Sequence, residues 1–462
     1  MFLTKNLRFN PEIKKNKTDL QTEGVRIASL GGFGSVTQNL FVYEYQKQIL
    51  IIDCGVGFVE KKNQKTELIV PDFDYLLQNK DRIKGLVVTH GHEDHIAGLP
   101  FLLPKLDNNL PLYAPRLAAA LIEEKLEEVG LNKKIKVIDS ESRLEIGPFS
   151  LSFVYVTHSI PDTFHVIVKT PVGTIYHGSD FKFDWTPVMS RQSEVAKMAL
   201  IGNQGVDLLL SDSLRSERAG YTLSEQMVEE SFEREIKDCR GRFFVTTISS
   251  NVSRWQQAIN VAAQHQRKVV LVGRSVEKVV EVAQKMGYLK IPKGIFISSK
   301  KAKFFRPEQL AFLISGAQAQ VGSALEKVIH RQRNDIEIKP GDKVVFSTDY
   351  IPGNEVAIHS LIDKLSLMGA DVSYSDISDD IHVSGHASRS DLSLLISLVR
   401  PKYLLPIGGA PRQMRQFALL AQRMGYPEEK ILLPERNQTV LLLADGQIKL
   451  GPKISLHVKL AM

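Results

Sequence analysis

Residues 89–95 are Thr89-His90-Gly91-His92-Glu93-Asp94-His95, which places three of the chain's 12 histidines and an aspartate within six positions. The preceding residues, 83–89, form a short apolar run that predicts a buried strand, and the end of a strand can aim several side chains at one point. Imidazole nitrogens and carboxylate oxygens are the ligands that suit zinc and similar divalent ions. A lone histidine is usually a surface or core residue, but that explanation does not account for such a cluster. The stretch therefore predicts a metal site.

The spacing of these side chains pairs His90 with His92 and Asp94 with His95. This division suits two neighbouring metals, an arrangement that favours phosphodiester cleavage because it compensates charge on both the attacking and the leaving oxygen. The motif by itself leaves the reaction open, since hydrolases of many substrates could use it.

Three further side chains follow apolar runs and extend the predicted site. Asp53 closes a strand and can orient a ligating histidine from outside the ligand shell. His158 would complete a set of three nitrogen ligands for one metal, and Asp180 would bridge both metals. Each of them alone could equally be a capped strand end or a turn residue, so the prediction rests on their joint order along the chain.

Composition limits the class of protein. A chain of 462 residues predicts two or three domains, and 43% hydrophobic with 24% charged residues is typical of a soluble globular protein. Its apolar runs are too short for a membrane span. Only Cys54 and Cys239 are present, outside any Cys-x-x-Cys motif, which favours a reducing, cytoplasmic location and argues against a sulfur-based zinc site.

The chain is basic, with a net charge of +7 and a pI near 9.1. This permits a polyanionic partner such as nucleic acid, through neutralisation of phosphates. A generally basic surface explains the same charge equally well. Residues 1–23 contain several lysines and no apolar core, so they predict a basic arm and not a secretory signal.

Apolar periodicity predicts an α/β protein. Strands alternate with helices from residue 205 onward, as in a parallel sheet layered with helices. A turn, and not a nucleotide-binding loop, is expected at residues 31–34, because the glycines there lack the Gly-x-Gly-x-x-Gly spacing. The predicted strands are 25–30, 39–45, 48–53, 151–156, 166–170, 173–176, 208–210, 242–246, 268–272 and 344–347, and the predicted helices include 117–129, 276–286 and 392–399.

Several motifs in this order resemble the ribonuclease J family, the β-CASP nucleases of the metallo-β-lactamase superfamily. The similarity covers about residues 24–450 and lies in six segments: 89–95, Thr-His-Ser-Ile-Pro-Asp at 157–162, Asp-Phe-Lys-Phe-Asp at 180–184, Val-Gly-Arg-Ser at 272–275, Pro-Gly-Asn-Glu at 352–355 and His-Val-Ser-Gly-His-Ala-Ser at 382–388.

The resemblance implies an αββα metallo-β-lactamase sandwich interrupted by an α/β β-CASP domain, with RNA bound in the cleft between them. The implied boundaries are 24–211 and 379–450 for the two parts of the sandwich, 212–378 for the β-CASP domain and 451–462 for a C-terminal tail. It also implies two zinc ions, with manganese or magnesium as alternatives, and a homo- or hetero-oligomer with a ribonuclease J homologue.

The family pattern assigns roles to individual residues. Asp212 matches an acidic motif, and His386 would stabilise or protonate the leaving oxygen. Ser384, Gly385 and Ser388 resemble a pocket for a 5′-monophosphate, to which Arg274 would add a fixed charge. The capping-box pattern at 388–391 supports such a pocket, since a helix N-terminus offers free N–H groups to a phosphate. The expected site is thus catalytic residues Asp94, Asp180, His386 and Asp212; metal ligands His90, His92, Asp94, His95, His158 and Asp180; the supporting Asp53; and RNA-binding residues Arg274, Ser384, Gly385, His386 and Ser388.

The chain departs from the family at several functional positions. Gly408 stands where the family has a histidine that ligates the second metal, and Ala410 replaces a nearby acid. Segments 212–215 and 315–320 also differ from the family's sequence motifs. The family's small C-terminal domain, which supports dimerisation, has no counterpart before Met462. We expect a firmly held first metal and a weakly held second one.

Three functions are compatible with these features. The first is an active ribonuclease acting as a 5′–3′ exonuclease, an endonuclease or both, in RNA processing or decay. The second is a weakly active or non-catalytic paralogue that binds RNA or partners an active homologue, which Gly408 and Ala410 favour. The third is a hydrolase of a small ester or thioester, against which the motifs around Asp212 and His386 argue. The intact ligand set favours the first.

Overall fold

The computed structural model describes residues 24–60, 66–350, 354–457 and 459–460. The predicted basic arm, residues 1–23, lies outside the described residues. Within these ranges, none of the helices has both the length and the apolar character required to cross a bilayer.

Strands and helices alternate along the described chain, and their bounds are as follows. Strands β1 to β22 are Gly24–Ser29, Phe41–Tyr45, Gln48–Ile52, Gly57–Glu60, Thr66–Val70, Ile83–Val87, Leu112–Pro115, Lys136–Ile138, Arg143–Ile146, Phe149–Val156, Thr163–Thr170, Gly173–His177, Leu208–Asp212, Phe243–Thr246, Lys268–Val272, Leu310–Ile314, Lys343–Phe346, Asp371–Ser373, Tyr403–Ile407, Gln438–Leu443, Ile448–Lys453 and Lys459–Leu460. Helices α1 to α13 are Asp74–Gln78, Glu93–Ile96, Leu99–Leu102, Arg116–Glu127, Val195–Gln204, Gln226–Lys237, Val252–Gln264, Arg274–Lys285, Ser299–Ala302, Ala324–Ile329, Glu355–Leu367, Arg389–Val399 and Pro411–Arg423.

Two sheets pack face to face and form a sandwich. One has eight strands in the order β21-β20-β1-β2-β3-β6-β7-β8, and the other has six in the order β19-β13-β12-β11-β10-β9. Alternating apolar residues of both sheets meet between them, including Tyr43, Leu50, Phe153 and Leu210, all of which are fully buried. Helices cover the outer faces, and the burial of one face of each sheet against the other accounts for the sandwich.

A further sheet, in which all strands are parallel, interrupts this sandwich. Strand β13 pairs in parallel with β12 and with β19, so the chain leaves the sandwich after Asp212 and returns at Tyr403–Ile407. The inserted sheet has the order β15-β16-β14-β17-β18, with every neighbouring pair parallel. The predicted strand 208–210 thus belongs to the sandwich and not to the later parallel sheet, because its partners are β12 and β19. The αββα sandwich with an inserted α/β domain is confirmed.

The ends of the sandwich strands bring the site together. Strands β3 and β6 are parallel neighbours, so Asp53 and the segment after Val87 emerge side by side. Strand β10 ends at Val156, just before His158, and β12 ends at His177, just before Asp180.

Candidate metal centre

The first group of candidate ligands contains His90, His92, His158 and Asp180, whose ligand atoms all lie within 4.8 Å of one another. Asp180 Oδ2 is 3.7 Å from His90 Nε2 and 3.8 Å from His158 Nε2. The structure therefore brings together the three nitrogens and the carboxylate that the sequence predicted for one metal.

The hydrogen bonds of His158 and His90 place the proton of each neutral ring on Nδ1 and leave Nε2 unprotonated. His158 Nδ1 donates to the Gly385 carbonyl at 2.8 Å, because a carbonyl oxygen can only accept. The Thr89 hydroxyl donates to Asp53 at 2.8 Å, so His90 Nδ1 donates to that hydroxyl oxygen at 3.0 Å. Each ring then presents Nε2 to the centre of the group.

These unprotonated nitrogens have lone pairs that can bind a cation. His158 Nε2 faces His92 Nδ1 at 3.1 Å, and His90 Nε2 is buried without a hydrogen-bond partner among the described residues. Burial lowers the pKa of His158 to about 3 and that of His90 well below its ordinary value. The imidazoles are therefore neutral, which is the form that binds a metal.

The second group contains Asp94, His95 and Asp180, again within 4.8 Å of one another. His95 Nε2 is 3.3 Å from Asp180 Oδ2 and 3.6 Å from Asp94 Oδ2. Burial raises the pKa of Asp94 to about 6, with His95 opposing it and Asp180 adding to it. A second cation at this point would relieve the crowding of the two carboxylates.

Asp53 orients His95, a member of the second group, through a hydrogen bond on the side of the ring away from Asp180. Its Oδ2 accepts from His95 Nδ1 at 2.8 Å, and its Oδ1 accepts from the Thr89 backbone N–H at 2.7 Å. The carboxylate thereby fixes the ring so that Nε2 faces Asp180, the supporting contact expected for a ligating histidine.

A third group joins Asp180 to Asp212 and His386. His386 Nδ1 donates to Asp212 Oδ2 at 2.8 Å, and its Nε2 lies 3.9 Å from Asp180 Oδ2. Burial opposes protonation of the ring, but Asp212 and Asp180 raise the pKa of His386 to about 9. The ring therefore carries a proton at neutral pH, on the side that faces the candidate ligands.

Gly408 follows β19 and has a φ of +63°. A Cβ built there would lie 3.6 Å from Asp212 Oδ1, an ordinary contact, so space exists beside the third group. His382, the nearest histidine in sequence to His386, is not a substitute ligand, because its ring lies against Arg254 at 3.1 Å and Asp349 at 3.6 Å.

Four of the five residues expected to bind a 5′-phosphate line two walls of a cleft, and the fifth, Ser388, is not among its lining residues. Ser384 and Gly385 line it beside His386, and Arg274 lines it from the inserted domain. Ser388 caps α12 and is 2% exposed. Its hydroxyl bonds the Thr222 hydroxyl at 2.9 Å.

This cleft has a volume of about 1750 Å³ and runs between the sandwich and the inserted sheet. His92, Asp94 and Asp180 lie on its floor. Its walls carry cationic side chains from both parts of the chain: Lys125, Arg215, Arg218, Arg274, Lys278, Lys327, Arg333 and Arg412. Acidic side chains line the cleft as well, among them Glu124, Glu217, Glu277, Asp376 and Asp379, so its walls carry charges of both signs. The cations are the groups that could contact a polyanion.

Sequence reasoning missed three side chains that organise the site. Asn39 Nδ2 lies 3.2 Å from Asp94 Oδ2 and 3.0 Å from His95 Nε2. Ser179 donates to Thr89 at 2.9 Å, which steadies the ring of His90. Thr89 and Ser179 flank ligand motifs, a usable signal, whereas Asn39 reaches the site only through tertiary packing.

Comparison with family models assigns each part of the chain. Residues 48–222 match the beta-lactamase superfamily domain. Residues 240–365 match the beta-CASP domain of ribonuclease J, and residues 375–434 match the Zn-dependent metallo-hydrolase RNA specificity domain.

Relatives that match most of this chain agree. The chain is 37% identical to ribonuclease J 1 of Streptococcus pyogenes, over 92% of this chain and 76% of that protein. It is 38% identical to ribonuclease J of Thermus thermophilus, over 92% and 75% respectively. A protein of unknown function from Enterococcus faecalis shares the fold, with a TM-score of 0.61, 14% identity and coverage of 91% of this chain and all of that one. Because the ordered motifs, the three domain matches and the whole-length identity coincide, the chain belongs to the ribonuclease J family of the metallo-β-lactamase superfamily.

Proposed function

We propose that this protein is a metal-dependent ribonuclease that hydrolyses phosphodiester bonds of RNA, as a 5′–3′ exonuclease, an endonuclease or both. The observation that carries the proposal is the convergence of six candidate ligands at the cleft between the sandwich and the inserted domain. The relatives named ribonuclease J supply the substrate class. A hydrolase of a small ester would not need a cleft of about 1750 Å³.

The ligand set divides between two zinc ions. His90, His92, His158 and Asp180 would hold the first, and Asp94, His95 and Asp180 would hold the second. When bound, such ions supply a water of lowered pKa as nucleophile and compensate charge on the phosphate oxygens. Manganese or magnesium are the alternative ions.

Side chains of the protein supply the proton that the leaving oxygen needs. His386 carries a proton on Nε2, opposite the nitrogen that donates to Asp212. From there it can donate to the leaving ribose oxygen as the phosphodiester bond breaks. Asp212 holds the ring in this orientation and stabilises its charge.

We further propose that the second ion binds more weakly than the first. Gly408 has no side chain to offer, so the second ion depends on Asp94, His95 and the shared Asp180. Loss of one ligand from the metal's own shell should cost at least the 10–100-fold in affinity that supporting residues commonly contribute.

A 5′-monophosphate would bind beside the metals at Ser384 and Gly385, with Ser388 fixing the start of α12 and Arg274 supplying charge from the opposite wall. Arg274→Ala should then lose the preference for a 5′-monophosphate over a 5′-hydroxyl end. An unchanged ratio of the two cleavage rates would refute the proposal of this pocket.

The test of the function combines metal content with cleavage. Protein loaded with excess zinc should cleave a 5′-monophosphorylated RNA, and Asp180→Asn should abolish cleavage while retaining the fold by circular dichroism. Zinc-loaded wild-type protein that leaves the RNA intact, with manganese and magnesium also ineffective, would refute the proposal.

A further inference from the structure

A short turn of the inserted domain carries positive charge and an exposed aromatic ring. This basic turn, residues 300–306, reads Lys-Lys-Ala-Lys-Phe-Phe-Arg and contains no acid. Phe304 is 77% exposed. A run of lysines by itself commonly marks only a solvated surface, but solvation does not account for a large aromatic ring among them. The cationic side chains of the turn are all exposed: Lys300, Lys301, Lys303 and Arg306.

The fold holds Phe304 in its outward position. Ala302 belongs to the core of the inserted domain, and Phe305 packs against that core. The backbone N–H of Phe304 donates to the Lys301 carbonyl at 3.1 Å, and that of Phe305 donates to the Ala302 carbonyl at 3.0 Å. Because the turn is anchored on both sides of Phe304, presenting this ring to a ligand costs little conformational entropy.

The charge of the turn is largely uncompensated. Among the described residues, the ion pairs of this segment are confined to Arg306 with Glu308, at 3.3 Å. Lys303 Nζ lies 5.1 Å from the centroid of the Phe304 ring. An aromatic face beside free ammonium groups is the combination that binds single-stranded nucleic acid, since a base stacks on the ring while phosphates neutralise the cations.

The basic turn lies outside the cleft. Strand β15 is at the edge of the inserted sheet. On its outer side, Val269 donates to the Ile295 carbonyl at 2.9 Å and accepts from the Ile297 N–H at 3.0 Å. The segment that leads into the turn therefore runs along the edge of the sheet, and residues 300–306 are not among those that line the cleft.

One carboxylate joins the turn to the rim of the cleft. Arg333 lines the cleft and donates to Asp335 at 2.7 Å. Asp335 also accepts a hydrogen bond from the side chain of Ser299, the first residue of α9. An RNA chain that leaves the cleft past Arg333 thus comes next to α9 and its lysines.

We propose that residues 300–306 form an auxiliary surface that binds the single-stranded part of a long RNA beyond the cleft. Lys300, Lys301 and Lys303 contact its phosphates, and one base stacks on Phe304. The choice of RNA rests on the proposed nuclease function. An anionic membrane fits this surface less well, because Phe304 is the one exposed apolar side chain of the turn.

The test compares two variants with a charge-matched control. One variant combines Lys300→Ala, Lys301→Ala and Lys303→Ala, and the other is Phe304→Leu, which keeps an apolar side chain without the ring. The control replaces three exposed lysines of the sandwich that do not line the cleft: Lys80→Ala, Lys105→Ala and Lys449→Ala.

Binding is measured on protein as purified, with fluorescent RNA that carries phosphorothioate linkages to slow hydrolysis. One RNA is a short oligonucleotide that the cleft can hold, and the other is several times longer. Each affinity is determined over a series of salt concentrations, and thermal unfolding of each variant confirms that the affinities refer to folded protein.

The long RNA should bind the triple-lysine variant about tenfold more weakly than the control. The slope of log affinity against log salt should be shallower by about 2, since each neutralised phosphate of a single strand contributes about 0.7. Phe304→Leu should weaken the long RNA about tenfold with the slope unchanged, because stacking is lost but no charge is. The short oligonucleotide should bind all variants alike.

Equal affinity of the triple-lysine variant and the control for the long RNA would overturn the proposal, even if both cleave RNA. An equal loss for short and long RNA would also contradict it, because the turn would then act on the cleft. Loss of binding to phosphatidylserine vesicles with RNA affinity unchanged would assign the turn to a membrane instead. Wild-type protein that binds the long RNA through the turn without cleaving it would refute the nuclease function and support this surface.

Discussion

At the scale of single residues, Gly385 is held where any side chain would disturb a candidate ligand. A Cβ at this position would lie 2.7 Å from His158 Nδ1, the nitrogen that donates to the Gly385 carbonyl. Gly385→Ala should therefore turn the ring and weaken the first metal site by about 10–100-fold, as other losses of a supporting contact do. Titration with a chromogenic zinc chelator measures this change. An affinity equal to that of the wild type would mean that the carbonyl does not orient the ring.

A substitution at Gly408 should strengthen metal binding instead of weakening it. Gly408→His, ideally with Ala410→Glu, should raise occupancy of the second metal and cleavage of RNA, because it restores an imidazole beside Asp212, where a Cβ has room. The left-handed backbone, with φ at +63°, should cost about 1–2 kcal/mol of stability.

Gly408→Ala is the matched control, since it carries the same backbone strain without the imidazole. Metal content per chain at low free zinc and the cleavage rate are the two measurements. If the histidine and alanine variants bind equal amounts of metal, position 408 does not face the second site.

Residue by residue, the sequence could predict what local spacing determines. The six candidate ligands and Asp53 fall at or just after strand ends, so their convergence followed from the pattern of apolar runs. Contacts between distant parts of the chain could not be predicted in this way. The Gly385 carbonyl reaches His158 only because the chain returns to the sandwich after the insertion. Asn39 reaches Asp94 across 55 residues of the first part of the sandwich.

At the scale of elements, strong periodicity predicted strands well and short apolar runs poorly. Strand β15 spans residues 268–272 as predicted. Strand β16, Leu310–Ile314, lies between β15 and β14 in the inserted sheet but was not predicted. Its five residues are all buried, and a run that short and uniformly apolar does not distinguish a strand from a helix segment.

The start of α12 shows an element fixed by one side chain. Asp391 is fully buried and accepts from the backbone N–H groups of Ser388, Thr222 and Phe183 at 2.8–3.1 Å. It thus fastens the helix to two neighbouring segments of the site. The sequence predicted its contact with Ser388 but could not predict the other two.

Asp391→Ala should destabilise the protein strongly, because it leaves the N–H groups of Thr222 and Phe183 unsatisfied at about 1–3 kcal/mol each, partly recovered by water. The Ser388 N–H keeps the Thr222 hydroxyl as acceptor. Ser390→Ala is the control, since it alters the neighbouring residue and keeps the backbone contact of Ser390 with Gly220. Urea unfolding measures both variants. Equal midpoints for the two variants would show that Asp391 does not fasten the helix.

At the scale of the whole molecule, the sandwich and the inserted domain meet at a buried charge cluster. Glu225 lies just before α6, and its Oε2 is 2.8 Å from Arg254 Nη2 on α7. Its Oε1 is 3.3 Å from Nζ of Lys182, which follows β12 of the sandwich. All three side chains are buried. The predicted domain boundaries, 24–211, 212–378 and 379–450, stay predictions, but this cluster is a physical junction between the two sheets.

Because of this junction, the free energy of unfolding should vary with pH in the acid range. Burial alone would raise the pKa of Glu225, but Lys182 and Arg254 lower it from the ordinary value of 4.5 to about 2. The folded protein therefore binds this proton more weakly than the unfolded chain does. The stabilisation is complete above pH 4.5 and is lost as the pH falls through the range down to about 2, a change on the order of 3 kcal/mol.

Glu225→Gln tests this junction directly. At neutral pH it should cost about 3–5 kcal/mol, because Arg254 loses its buried carboxylate and Lys182 keeps, among the described carboxylates, only Asp184, at 3.5 Å. Below pH 4.5 its unfolding free energy should fall less steeply than that of the wild type, because the titrating group is gone. Glu229→Gln is the control, since Glu229 lies in the first turn of α6, the helix that Glu225 precedes, bonds Asn260 and takes no part in the junction. Urea unfolding at a series of pH values from 3 to 7 gives all three curves. Parallel curves for the wild type and Glu225→Gln would place the acid-sensitive group elsewhere in the molecule.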